Sequence, residues 1–122
     1  MVDSYFFDTY ALWEAIKGNK NYGKYVHCDC NTSLFNLVEL YFALLRESNA
    51  VAAAAHYRRL KSCLIEINDE DVFEAMELKL SKKHANLSYA DCVGYVMARH
   101  LGVKFLTGDE AFRKMQGVEF VK

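Results

Sequence analysis

Four acidic side chains, Asp8, Glu39, Asp91 and Asp109, stand where ordinary surface acids need not stand. Asp8 directly follows the apolar run Tyr5-Phe6-Phe7, and Asp109 closes the segment Leu106-Thr107-Gly108-Asp109 after a second apolar run. Glu39 is the only charged residue between Leu34 and Leu45, in a stretch whose one other clearly polar residue is Asn36. A carboxylate on so apolar a helix is costly to bury without compensation. Asn36, three residues earlier, shares its face and could orient it. Asp91 completes Ser88-x-x-Asp91. Carboxylates gathered without a basic partner repel one another, so such a group makes sense mainly around a cation. Mg2+ and Mn2+ are hard ions that prefer oxygen ligands. One or two of them can activate a water and stabilise the leaving oxygen of a phosphodiester.

Each acid also has a purely structural reading. Asp at a strand-to-helix junction accepts backbone N–H bonds as a cap. Glu39 could emerge at a packing gap or pair with an arginine. Ser88-x-x-Asp91 has the form of a capping box, with Leu87 and Cys92 as its hydrophobic staple, although Glu or Gln is preferred at the last position. Thr107-x-x-Glu110 has the same form with Glu in place, so Glu110 is read as a cap. No histidine among His27, His56, His84 and His100 sits in a motif that marks a general base.

The elements that must position these acids alternate in type. Tyr5 to Phe7, Tyr25 to Asp29, Cys63 to Ile67, Val103 to Thr107 and Val118 to Val121 read as short strands. Thr9 to Lys17, Ser33 to Glu47, Val51 to Lys61, Asp69 to Lys83, Ser88 to Leu101 and Asp109 to Met115 read as helices, with Gly18 and Gly102 as stops. The acidic start and basic end of the helix from Asp69 suit its macrodipole. Short strands alternating with helices predict an α/β fold around a mainly parallel sheet. Sheets of this kind bind ligands at the carboxyl ends of their strands, where Asp8 and Asp109 fall. The helix from Leu34 to Leu45 is apolar almost all round and should be buried on several sides.

The 122 residues suit one domain, 1–122, with a sizeable core. The net charge of −1 provides no overall basic field for nucleic acid, so any such contact must be local. Arg58, Arg59 and Lys61, or Lys79, Lys82 and Lys83, could touch phosphates, but also read as solvated helix faces. No apolar run is long enough for a membrane span, and residues 1–4 lack the features of a signal peptide, so a cytoplasmic protein is the expectation. The four cysteines include Cys28-x-Cys30, which would share one face of a strand. They read as buried small apolar residues in a reducing compartment, without the pairing needed for a thiolate metal site.

Four segments together resemble the PIN-domain family, from about Tyr5 to the C-terminus. They are Phe6-Phe7-Asp8-Thr9, Ser33-Leu34-Phe35-Asn36-Leu37-Val38-Glu39, Leu87-Ser88-Tyr89-Ala90-Asp91-Cys92 and Phe105-Leu106-Thr107-Gly108-Asp109-Glu110-Ala111-Phe112. The resemblance implies a three-layer α/β/α fold around a sheet of four to five strands. It also implies a Mg2+- or Mn2+-dependent endoribonuclease, with Asp8, Glu39, Asp91 and Asp109 as metal ligands. By the same resemblance Thr107 is a hydroxyl near the site and Thr9 a minor supporting group. Many small members are toxins of the VapC kind, which cleave RNA and are silenced by a small antitoxin protein. Two departures are Cys92, where alanine is more frequent, and Gly108, where asparagine is.

Two other functions compete. A catalytically silent PIN-like module would bind RNA or protein without cleaving. A receiver-like phospho-acceptor would use Asp69, Thr107 and Lys122, but would want an acidic pair where Asp8 stands alone, and leaves Glu39 and Asp91 unexplained. The apolar helix Leu34 to Leu45 and the alanine-rich stretch Val51 to Ala55 would suit a homodimer interface.

Overall fold

The computed structural model describes residues 2–122. Four strands, β1 (Ser4–Phe7), β2 (Asp29–Asn31), β3 (Lys104–Thr107) and β4 (Val118–Phe120), form one sheet in the order β2-β1-β3-β4, every pair parallel. Five helices, α1 (Thr9–Lys17), α2 (Leu34–Glu47), α3 (Ala50–Leu60), α4 (Asp69–Ser81) and α5 (Tyr89–Leu101), connect them. Parallel strands require long crossovers; α1 lies between β1 and β2, α2 to α5 between β2 and β3, and only a 3-10 turn between β3 and β4.

Strand periodicity builds the layers. Adjacent residues of a strand face opposite sides. Phe6 and Phe105 therefore join Val93, Val96 and Met97 of α5 and Ala75 of α4 in one core. Phe7 and Leu106 join Ala11 and Leu12 of α1, Leu37, Leu40 and Leu44 of α2 and Ala53 of α3 in the other. The expected three-layer arrangement follows, with both faces of the sheet covered. The aromatic rings of Phe105 and Phe112 lie 4.8 Å apart within the first core. At Gly94 of α5, an added Cβ would come 2.8 Å from the Phe6 ring, so the absent side chain is what lets α5 settle on the sheet. Gly18 and Gly102 end α1 and α5 in left-handed conformations, as their positions as stops predicted.

Several expected elements differ. Tyr25 to His27 forms a turn of 3-10 helix, and the strand starts only at Asp29. Buried Tyr22 and Tyr25 are spaced three apart, and a helical turn puts both rings into one core, whereas a strand would turn them to opposite faces. Cys63 to Ile67 is not a strand. It makes a single parallel bridge, Thr32 to Leu64, alongside the end of β2, and Ile65 and Ile67 pack into the first core instead. That removes the strand a receiver-like reading needs before Asp69. Asp109 to Met115 shortens to a 3-10 turn, Glu110–Phe112, because Phe112 must reach the core before the chain turns at Gly117 into β4. Finally, α2 is not buried all round: Leu34, Phe35, Val38, Phe42 and Leu45 are exposed along one side.

Candidate active site

The sheet order changes direction between β1 and β3, because the chain leaves β1 for β2 on one side and later returns to β3 on the other. The carboxyl ends of two such strands diverge and leave a crevice. Asp8 follows β1 and Thr107 ends β3, so both stand at this crevice. The ladder continues past the strands: the Asp8 N–H donates to the Leu106 carbonyl (3.2 Å), and the Val121 N–H to the Thr107 carbonyl (2.8 Å).

Asp8 is buried, with 1% exposure. It is also the N-cap of α1, its Oδ1 accepting from the Ala11 N–H at 2.8 Å. Burial pushes its pKa up to about 8, with the charges of Asp91 and Asp109 adding to the rise and the Thr107 side chain and Ala11 N–H opposing it. Asp91 is raised as well, chiefly by burial, with Asp109 and Glu39 contributing repulsion. Asp8 therefore lies in the field of Asp91 and Asp109, and Asp91 in that of Asp109 and Glu39. No cation among the residues shifting Asp8 or Asp91 opposes this repulsion.

The cap readings turn out to be compatible with grouping. Ser88 and Asp91 form a reciprocal capping box, the Asp91 N–H donating to Ser88 Oγ (3.0 Å) and the Ser88 N–H to Asp91 Oδ2 (2.9 Å). Leu87 and Cys92 are buried in the same core, as expected of the staple. Asp109 caps the 3-10 turn through Oδ1, which accepts from the Ala111 N–H at 3.0 Å. Each of these aspartates is thus oriented by a backbone N–H, which fixes its rotamer where the sheet edge opens. The expected cap at Glu110 is a correction. The Thr107 hydroxyl instead accepts from the Asp109 N–H (3.0 Å), and Glu110 pairs with Arg113 (2.9 Å) and Lys122 (3.3 Å).

Glu39 is held by a chain of hydroxyl and amide groups. Thr9 Oγ1 donates to Glu39 Oε1 at 2.7 Å, and Asn36 Nδ2 donates to Thr9 Oγ1 at 3.2 Å. Ser33 Oγ donates in turn to Asn36 Oδ1 at 2.6 Å. Asn36 therefore reaches Glu39 through Thr9, and joins α2 to the start of α1 beside Asp8. Sequence reasoning passed over Ser33, although Ser33-x-x-Asn36 has the spacing of an N-cap and its N3 residue. Gly108 is demanded by its surroundings, since an added Cβ would overlap the Tyr10 ring and the Val121 carbonyl. Tyr10 is the residue that ties this departure to the fold.

In kind, the donor set fits a hard divalent cation: oxygen ligands only, one of them a buried carboxylate with no cationic partner among the groups that shift it. Among the described residues, no group of three or more His, Cys, Asp or Glu side chains is drawn together closely enough to hold an ion as it stands.

A parallel, three-layer α/β sheet with Asp8 and Asp109 just beyond the strands that flank its switch point has the architecture of the doubly wound class. The PIN-domain family model matches residues 5–118, and the chain belongs to that family. Membership implies a nuclease, and hence a hydrolase. No curated protein matches the sequence. Solved structures share the fold. The Mycobacterium tuberculosis toxin VapC20, described as cleaving the sarcin–ricin loop, is 21% identical with a TM-score of 0.76, over 97% of this chain and 99% of that one. VapBC2 from Rickettsia felis, bound to a fragment of its promoter DNA, is 17% identical with a TM-score of 0.73, over 98% and 99%. A toxin–antitoxin complex from Klebsiella pneumoniae is 18% identical with a TM-score of 0.72, over 93% and 94%.

Proposed function

We infer that the protein is a Mg2+- or Mn2+-dependent endoribonuclease, and the toxin of a toxin–antitoxin pair. The observation that carries the reading is Asp8, a buried carboxylate at the switch-point crevice, with Asp91 and Asp109 in its field and no cation to balance them. Asp8, Glu39, Asp91 and Asp109 would hold the metal. When bound, such an ion lowers the pKa of a water and offsets charge on a phosphodiester.

The chain's own groups have separate tasks. The Ala11 N–H and the Thr107 side chain keep Asp8 in place and favour its ionised form against burial. Thr9 donates to Glu39, so the carboxylate stays aimed from α2, and Asn36 and Ser33 fix Thr9. Ser88 fixes Asp91. Covered faces on either side of the sheet leave the carboxyl edge as the opening for RNA.

An apolar cavity of about 450 Å3 adjoins Glu39 and Ser88, walled by Phe35 and Val38 of α2, Val72 and Met76 of α4, and Tyr89. It suits the apolar side of a helix from a small antitoxin protein. An arginine or lysine from the same segment would reach the carboxylates and stand in for the cation. Farther along the helices, exposed Phe42, Leu45 and Val51 favour a homodimer. No described helix is long and apolar enough to cross a membrane, and cytoplasmic action fits an RNA substrate.

The test is cleavage of a mixed RNA pool by wild type and Asp8→Asn, with magnesium, with manganese and with chelator. Cleavage by wild type only in the presence of metal, lost in Asp8→Asn, supports the reading. Intact RNA under every condition, with RNA still bound, selects the silent module. For the toxin role, expression should arrest growth and co-expression of the neighbouring small open reading frame should relieve the arrest. Cleavage in vitro without growth arrest would leave a nuclease of another role.

A further inference from the structure

Away from the acids, three thiols from two distant parts of the chain meet at one cavity. Cys28 and Cys30 flank the start of β2, and Cys63 ends the 3-10 turn that follows α3. Together with Leu12, Tyr25 and Arg59 they line an opening of about 310 Å3. From sequence alone, all four cysteines read as buried apolar residues. Only Cys92 is buried; Cys28, Cys30 and Cys63 are part-exposed. Cys28 bonds away from the others, its Sγ donating to the Lys24 carbonyl at 3.5 Å.

Cys30 and Cys63 are neighbours. Both line this cavity and pack on the second core, and the backbone holds their two segments side by side. The Thr32 N–H donates to the Cys63 carbonyl at 2.9 Å, and the Ile65 N–H to the Thr32 carbonyl at 2.9 Å. The surroundings treat the two sulfurs differently. Cys63 is held below the ordinary thiol range by Cys30, Ser62 and Arg59, against an opposing effect of burial. The Cys30 thiol is pushed up, by Cys63 and by burial. A part-exposed thiolate beside a protonated thiol is the arrangement in which one sulfur attacks and the other resolves.

We propose that Cys63 and Cys30 are a peroxide-oxidisable pair, Cys63 the attacking and Cys30 the resolving thiol, closing to an intramolecular disulfide at this cavity. The Cys63 thiolate attacks one oxygen of hydrogen peroxide and the O–O bond breaks. The departing hydroxide takes a proton and leaves as water, and Cys63 becomes the sulfenic acid. The Cys30 sulfur, losing its proton, then attacks the Cys63 sulfur. The S–S bond forms, the S–O bond breaks, and hydroxide leaves as a second water with the Cys30 proton. The pair gives up two electrons, and the peroxide takes them. The product bond ties edge strand β2 to the connection between α3 and α4, next to Thr32, whose hydroxyl donates to the Phe7 carbonyl just before Asp8 (2.8 Å).

A lowered pKa puts more of Cys63 in the thiolate form at pH 7 and outweighs the accompanying loss of nucleophilicity, so Cys63 should react with peroxide faster than Cys28. Reduced full-length protein at pH 7 is exposed to hydrogen peroxide, quenched, denatured, and its thiols are counted and mapped by peptide mass. The expected result is loss of two of the four thiols, a Cys30–Cys63 linked peptide, and recovery on reduction with dithiothreitol. Cys30→Ser should stop at a sulfenic acid on Cys63, trapped by a 1,3-diketone, while Cys63→Ser should leave Cys30 reduced. Arg59→Gln should slow the reaction while folding normally. A linkage through Cys28, chain-to-chain disulfides, or equal oxidation of Cys28 and Cys63 would overturn the assignment.

Discussion

Neutralising Asp8 should make the metal-free protein more stable, and the gain should depend on pH. The folded-state pKa of about 8 lies well above the ordinary 3.8. The sign is fixed by linkage: when folding raises a carboxyl's pKa, its stabilising contribution is complete below the unfolded value and is lost as pH climbs through the folded one. The window therefore runs from about pH 4 to about pH 8. Four units correspond to a ceiling of about 5 kcal/mol. Relaxation around the ionised group and water entry reduce this, and about 2 kcal/mol, or about 8 °C in Tm for a chain of this length, is the working figure. Asn keeps the cap, because its side-chain oxygen accepts from the Ala11 N–H as Asp8 Oδ1 does. The assay is thermal unfolding of wild type and Asp8→Asn from pH 4.5 to 8.5 in chelator, then with Mg2+ or Mn2+. The two proteins should match at the acidic end and diverge toward pH 8, with Asp8→Asn the more stable. Comparing the two removes other groups that titrate alike in both. Divalent metal should raise the wild-type Tm and leave that of Asp8→Asn nearly unmoved. The reasoning is refuted if, without metal at pH 8, Asp8→Asn is the less stable protein.

Glu39→Gln, Asp91→Asn and Asp109→Asn should each lower metal-dependent RNA cleavage about a hundredfold with circular dichroism unchanged; melting in Asp91→Asn with residual specific activity intact would return Asp91 to a purely capping role. Thr9→Val removes the donor to Glu39 and should raise the metal concentration for half-maximal cleavage by about tenfold, read from a Mn2+ titration. His100 Nδ1 meets Asp71 Oδ1 at 2.6 Å and Nε2 meets Glu74 Oε1 at 3.2 Å, and these bonds raise the pKa of this part-exposed histidine. Its contribution is complete below pH 6.5 and fades as pH rises, so His100→Gln should lower Tm by about 3 °C at pH 5.5 and by less at pH 8.5. Gly94→Ala drives a methyl toward the Phe6 and Phe105 rings and Asn36 Oδ1, and chemical denaturation should show a loss of about 2 kcal/mol.

Local signals carried most of the architecture. Apolar runs such as Tyr5 to Phe7 and Phe105 to Thr107, and the glycine stops at 18 and 102, mark β1, β3, α1 and α5 without knowledge of the fold. The same local rules failed where a partner decides. Nothing within Cys63 to Ile67 tells that β2 is too short to pair with it beyond Thr32, and only the tertiary spacing of Tyr22 and Tyr25 favours a helical turn over a strand. The apolar length of α2 was read as burial on several sides, whereas five of its large residues face outward. At the candidate site, the residues were nameable from type and position. The hydrogen-bond chain Ser33–Asn36–Thr9–Glu39 was not, because it joins two helices whose approach is set by the sheet. The capping readings of Asp8, Asp91 and Asp109 hold, each carboxylate accepting a backbone N–H.

The neighbouring strands β1 and β3 come from opposite ends of the sequence, and their pairing has a consequence for the order of events during synthesis. β1 can find β2 once some thirty residues exist, but Phe6 waits for Phe105 and Phe7 for Leu106 before either core can close. Contacts so distant in sequence are slow to form, and a chain still emerging cannot form them at all. Asp8 and Asp109 follow β1 and β3, two strands that can pair only once residues 104–107 have been made. A nascent or truncated chain that stops short of Thr107 therefore carries Asp8 without the strand that completes its crevice. Asp8 and Asp109 are therefore brought to the same end of the sheet only after most of the protein has been made, leaving the interval of translation as time before the sheet closes.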